Sequence, residues 1–167
     1  MNPIRRSIVC SILAISTVFH ASGADDKFLE NETLGKLKLG MKATDATALI
    51  GKPDSKGKDT EWAATGEWVQ EWKFKPQGLK INMASVSKGG AKTVSSITAE
   101  APCKLATARG IHLGSTIAEV TKAYRSVQDK EQSEPGKTFV AGSVYGGVIF
   151  TFTGGKVSQI FIGAAAE

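Results

Sequence analysis

The chain has 167 residues, with 21 Lys+Arg against 16 Asp+Glu and 41% hydrophobic residues. That length fits one domain or two small repeats sharing a core, and the apolar fraction excludes a disordered chain. Two Cys and two His leave little material for metal or nucleophile chemistry, and neither a metal nor a cofactor is expected.

Residues 1–24 read as a secretory signal peptide. Arg5 and Arg6 give a positive start, and Ser7 to Phe19 is an uncharged apolar stretch. Small residues follow at Ala21, Ser22, Gly23 and Ala24, ahead of Asp25-Asp26. The stretch has 13 residues, against the ~20 that a membrane-spanning helix needs. No later segment is long and apolar enough, so no membrane span is expected. Cleavage is expected after Ala24, with Gly23 as the alternative, leaving the protein periplasmic or secreted. Cys10 follows Val9 with no apolar stretch before it, which does not fit a lipid-attachment site.

Cleavage leaves 143 residues, and because only Arg5 and Arg6 are lost among the charged residues, the net charge falls from +5 to +3. Cys103 and His112 are then the single cysteine and single histidine. A lone cysteine reads as a small buried apolar residue, with an intermolecular bridge as the alternative. The remaining positive charge is 17 Lys and two Arg spread along the chain, the pattern of a solvated surface more than of nucleic-acid recognition.

After a short N-terminal segment (25–33), the chain carries an internal repeat. Leu37 to Ala46 lines up with Ile111 to Val120 at an offset of 74. Leu79-Lys80-Ile81-Asn82-Met83 matches Val148-Ile149-Phe150-Thr151-Phe152 at 69, and Val94 to Ala99 matches Val157 to Ile162 at 63. The order holds while the offsets shrink, as expected of a module used twice with shorter loops in the second copy. In the first copy (34–99) a short helix begins near Thr44, with Thr44 as the candidate cap, and Gly51 and Pro53 stop it. Strands are expected at Thr60–Ala64, Trp68–Phe74, Leu79–Ala84 and Thr93–Ala99. Segment 100–109, with Pro102 and Cys103, reads as a linker.

In the second copy (110–163) Thr116 and Glu119 form a capping box, and Ile117, Val120 and Tyr124 make one apolar stripe. Residues 126–137 read as a polar loop. Strands follow at Thr138–Tyr145 and Gly147–Thr153, and Gly154-Gly155 turns into Lys156–Gly163. With strict alternation, Val148, Phe150, Phe152, Val157 and Phe161 share one face, and Ile149, Ile160 and Ile162 the other. Residues 164–167 form a tail. The expected fold is α+β: two tandem repeats, each a short helical segment on an antiparallel sheet of about three to four strands.

Gly40-Met41, Asp45-Ala46 and Ile50-Gly51-Lys52-Pro53-Asp54 resemble the entry motif of the small BamE-like envelope lipoproteins, and Gly114 to Val120 resembles the same motif. Two such units in tandem are similar to the β-lactamase inhibitor protein architecture. The resemblance implies non-catalytic binding of proteins or envelope components through a sheet surface. It lacks the lipid-attachment cysteine, and no inhibitor contact residue can be matched.

The candidate binding surface is aromatic. Alternation puts Trp68, Gln70, Trp72 and Phe74 on one face of a strand and Val69, Glu71 and Lys73 on the other. A turn at Thr65-Gly66 places Trp62 opposite Val69. Tryptophan is enriched where binding energy concentrates, so Trp62, Trp68 and Trp72, ringed by Glu71 and Lys73, are the expected contact residues. The competing reading is that all three rings are packing. No catalytic set assembles: His112 reads as a solvent-facing residue beside Ile111 and Leu113, and the carboxylates are scattered. The expected function is an exported binding module, with inhibition as one form of that role. Envelope assembly or maintenance and periplasmic immunity against a toxin are the alternatives, and a cell-wall hydrolase is a distant one.

Overall fold

The computed structural model describes residues 28–63 and 65–165; the expected signal peptide lies outside the described residues. The strands are β1 (Ser55–Lys56), β2 (Thr60–Glu61), β3 (Trp68–Phe74), β4 (Leu79–Ser85), β5 (Thr93–Ala99), β6 (Gln128–Glu134), β7 (Thr138–Ser143), β8 (Gly146–Thr153) and β9 (Lys156–Gly163). Two eight-residue helices, α1 (Ala43–Ile50) and α2 (Ile117–Tyr124), accompany them.

The expected pair of helix-on-sheet repeats is overturned. All nine strands among the described residues belong to one antiparallel sheet, ordered β1-β3-β4-β5-β9-β8-β7-β6 with β2 also on β3. The join is β5 against β9, through Ile97↔Ile162, Thr98↔Phe161 and Ala99↔Ile160. Each of these strands would otherwise present a row of unpaired N–H and C=O groups, and pairing them removes two edges at once. The matched segments nevertheless make matching contacts. Gly40 N donates to Val94 O at 2.8 Å and Gly114 N to Val157 O at 2.8 Å.

The helix ends follow their local chemistry. Thr116 and Glu119 complete a reciprocal capping box on α2. At α1 the N-cap is Lys42, with no side-chain bond, and Thr44 bonds Asp45 instead of capping. Gly51 ends α1 at φ +91°, a conformation that glycine adopts without strain.

Two further expectations fail for stated reasons. Residues 128–134, read as loop, form edge strand β6, whose polar residues give no apolar alternation to detect. The strand is distorted between Asp129 and Glu134, and Asp129 Oδ1 accepts Glu131 N and Gln132 N at 2.9 and 3.1 Å. The expected faces of β9 are also wrong. A bulge at Ser158, where Thr151 pairs Gln159 but Phe152 pairs Val157, reverses the alternation. Ile160 and Ile162 therefore join the core, and Phe161 sits half-buried on the other side. A similar irregularity occurs where β5 meets β4. Ser95 Oγ donates to Asn82 O at 3.0 Å, and Ser158 Oγ to Thr151 O at 3.2 Å.

One face of the sheet carries the core: Trp72, Phe74, Ile81, Met83, Val94, Ile97, Val148, Phe150, Ile160 and Ile162. It is covered by Val120 and Tyr124 of α2, Ala46 of α1, and Phe28, Leu34, Leu37, Cys103 and Ile111 from the connecting segments. Segments 28–33 and 100–109 thus help build the core and do more than flank or link. Cys103 is a buried free thiol, and His112 is exposed.

A polar cluster ties these covering segments together. Glu32, 2% exposed, accepts from Ala108 N at 3.0 Å and from the Tyr124 hydroxyl at 3.1 Å. Tyr124 OH also bonds Thr107 Oγ1 at 2.7 Å. The Arg109 guanidinium lies 4.7 Å from the Tyr124 ring centre, and its Nε is 3.9 Å from Glu32 Oε2. Burial pushes the Glu32 carboxyl above its ordinary range against the pull of its hydrogen bonds, and burial also raises the Tyr124 phenol.

Candidate functional site

The strand directions gather several loops at one end of the sheet. Trp68 at the start of β3 faces Ser85 at the end of β4, and Ala84 faces Thr93 at the start of β5. Gly163 at the end of β9 pairs Gly147, and Ser143 pairs Gly146 across the β7–β8 turn. The β2–β3 turn, the β4–β5 hairpin and the β7–β8 turn therefore project from the same end.

The three tryptophans expected at the contact surface divide between this end and the core. Trp62 and Trp68 are half-buried. Trp62 N donates to Glu67 O at 2.8 Å and Trp62 O accepts from Gly66 N at 2.7 Å, so Trp62 lies opposite Glu67; Thr60 is the partner of Val69. Lys88 Nζ stands 5.2 Å from the Trp68 ring centre, a cation over an aromatic face.

Trp72 is 6% exposed and belongs to the core cluster. Its indole N–H donates to Gln70 Oε1 at 2.8 Å, and Lys56 Nζ covers the ring at 3.8 Å. This ring is packing and not an open contact. Glu71 and Lys73 pair at 3.0 Å on the opposite face of β3, with side chains 42% and 45% exposed. They do not ring the tryptophans, and an exposed pair of this kind contributes about 0–1 kcal/mol.

The structure adds two residues that periodicity did not single out. Val86 is 89% exposed on the β4–β5 hairpin and Tyr145 is 71% exposed on the β7–β8 turn. Only β9 separates β5 from β8, so the two tips stand about three strand spacings, or ~14 Å, apart. Both lie in glycine-containing turns, where an apolar residue carries no periodic signal. The one available cue was a large apolar side chain where a turn normally places a polar one.

The hairpin that carries Val86 is held in shape. Lys92 Nζ donates to Asp59 Oδ1 at 2.6 Å and to Ser85 Oγ at 3.2 Å. Gly89 N donates to Asp59 Oδ2 at 2.8 Å, and Gly90 N to Ser87 O at 2.9 Å. The Lys92 bond, then the Gly89 N–H, holds the Asp59 carboxyl below its usual range. The Ser85–Lys92–Asp59 cluster thus clamps both ends of the hairpin. The β7–β8 turn is tied by Ala165 N to Val144 O at 2.8 Å.

Among the described residues, no group of three or more His, Cys, Asp or Glu is placed to hold a metal ion, and no helix is long and apolar enough to cross a membrane. Comparison with family models, curated proteins and solved structures found no match. The likeness to the BamE-like lipoproteins and the β-lactamase inhibitor protein therefore rests on the quoted residues alone.

Proposed function

We propose that this chain is an exported, non-catalytic binding module that engages a protein of the cell envelope through the sheet end bearing Trp62, Trp68, Val86 and Tyr145. The observation that carries the reading is the pair of apolar tips, Val86 at 89% and Tyr145 at 71% exposure, on hydrogen-bonded turns at one end. An apolar side chain in water at the tip of a clamped turn costs solubility and contributes nothing to the core. Inserted into a partner's pocket, it gains burial with little ordering cost, because the turn is already fixed. Export rests on the charged start, apolar stretch and small residues of positions 1–24.

The test places a photo-crosslinking residue at position 86, 145 or 130 in the full chain, expressed in its native envelope. Lys130 lies exposed on β6, away from this end. A shared partner captured from 86 and 145 and absent from 130 is the expected result. Identical products from all three positions refute the reading.

A further inference from the structure

The sheet has an approximate twofold axis that passes through the β5–β9 join. On one side the strands run β5-β4-β3 and on the other β9-β8-β7, and β4 and β5 are the strands that match β8 and β9 in sequence. At the offset of 63, Ile97 matches Ile160, Thr98 matches Phe161 and Ala99 matches Ile162. Across the join Ile97 pairs with Ile162, Thr98 with Phe161 and Ala99 with Ile160. Thr98 and Phe161 therefore flank the axis, and the outer two pairs are the same contact made twice.

The segments that precede the two halves obey the same axis. At the offset of 74, Thr33 and Leu34 match Thr107 and Ala108. Leu34 bridges to Thr107, and Ala108 N donates to Thr33 O at 3.1 Å, so these contacts also exchange when the halves are swapped. Each segment then crosses to the opposite half. Phe28 packs edge-on to Tyr124, with ring centres 6.2 Å apart, and lies against Gly142. Leu29 lies against Gly146, while Pro102 and Cys103 lie against Gly78 at the β3–β4 turn. Ala165 N donates to Val144 O at 2.8 Å, in the β7–β8 turn that Phe28 and Leu29 touch. The end of β9 thus leads toward Phe28 as the end of β5 leads into Pro102.

We infer that the β5–β9 join is a twofold self-recognition surface: each half binds a second copy of its own kind, and here the other half of the same chain is that copy. Two unlike modules strung on a linker have no reason to place matching residues about one axis. A symmetric dimer does, because the same patch serves both subunits. Leu34, Ile97, Ile160 and Ile162, at the join and the crossing, are at most 1% exposed. A surface this dry resembles a core cut in half, as in subunits that are stable only together. The link through 100–109 raises the local concentration of the halves, and the contacts hold them.

The test cuts the link in the folded chain 25–167. A protease site is inserted between Arg109 and Gly110, both exposed in a turn, and the cut product is unfolded in urea, refolded and sized by gel filtration. One species of unchanged size is expected. Its melting midpoint should fall by about 5 °C for each tenfold dilution, while that of the uncut chain stays constant. Cut copies tagged after residue 167 and refolded with isotope-labelled, untagged cut copies should retain labelled 25–109 fragments on the tag's resin. A second variant joins Glu167 to Asp25 by a Gly-Ser linker and opens the chain between Arg109 and Gly110; it should keep the strand content and cooperative melting of the original. If the inserted site prevents folding, this rearranged chain decides alone. Separation of the fragments at micromolar concentration, a midpoint indifferent to dilution, no exchange with the labelled copies, or an unfolded rearranged chain overturns the inference.

Discussion

Replacing Tyr124 with Phe deletes one hydroxyl from the most buried polar cluster. That hydroxyl bonds Glu32 Oε1 at 3.1 Å and Thr107 Oγ1 at 2.7 Å, while the ring packs 4.9 Å from Phe150 between centres. The ring contact survives the substitution. Loss of a bond to a carboxylate costs about 1.5–3 kcal/mol and loss of one to a hydroxyl about 1 kcal/mol. Two compensations reduce the sum: the phenol is no longer desolvated, and Glu32 keeps the Ala108 N–H at 3.0 Å. The net expectation is a destabilisation of about 2 kcal/mol, or a Tm lower by roughly 4–8 °C for a chain of this size. Urea unfolding at pH 7 of wild type, Tyr124→Phe, Glu32→Gln and the double variant measures it. The double variant should be less damaged than the sum of the singles by about 1 kcal/mol, because both substitutions act on the same bond. A Tyr124→Phe cost below about 0.5 kcal/mol, or strict additivity, would refute the reasoning.

The same cluster gives a pH signature. The Glu32 carboxyl is raised above its ordinary 4.5 in the folded protein, so between pH 4.5 and the folded value the native state holds a proton that the unfolded chain has released. Stability from this group is full below that pH and declines as pH rises through the folded value. Glu32→Gln should flatten that decline, which unfolding midpoints across the range record; an unchanged slope counts against it. Asp59 has the opposite sign, since its carboxyl lies below its ordinary 3.8. Its contribution is present above that pH and is lost as pH falls through the folded value. Asp59→Asn should remove that acid-side loss and speed amide exchange at Gly89, and unchanged exchange would contradict the clamp. Gly78→Ala should destabilise by at least about 3 kcal/mol. Gly78 has φ +64°, and a Cβ there would lie 2.2 Å from Glu100 O and 2.5 Å from Cys103 N. A cost under about 1 kcal/mol in urea unfolding would refute that account.

The elements whose signals are local were legible in the sequence. The Thr116–Glu119 box, the Gly154-Gly155 turn and the alternation of Trp68, Gln70 and Trp72 are each set by residues within a few positions of one another. What the sequence left open depended on partners far along the chain. Whether β5 meets β9 is decided by edge pairing between residues more than sixty positions apart, so a single sheet and two separate ones present the same local pattern. The bulge at Ser158 shifts one residue out of register, and that reversed the face assignment of everything after it. Trp72 looked like a contact residue because a strand face does not reveal what covers it; Lys56 and the core do. Glu32 sits in a short segment with no periodicity, and its burial follows only from the placement of Tyr124, Thr107 and Arg109 around it.

The two margins of the sheet carry a consequence for behaviour in concentrated solution. At one margin β1 and β2 are dipeptides interrupted by Gly57, whose N–H already donates to Glu71 O at 2.8 Å. At the other, Asp129 curls β6 so that its side chain satisfies the strand's own amides. Neither flank offers a straight ladder onto which a neighbouring molecule's backbone could zip, so a wide β-rich protein of this kind resists growth into ribbons and fibrils.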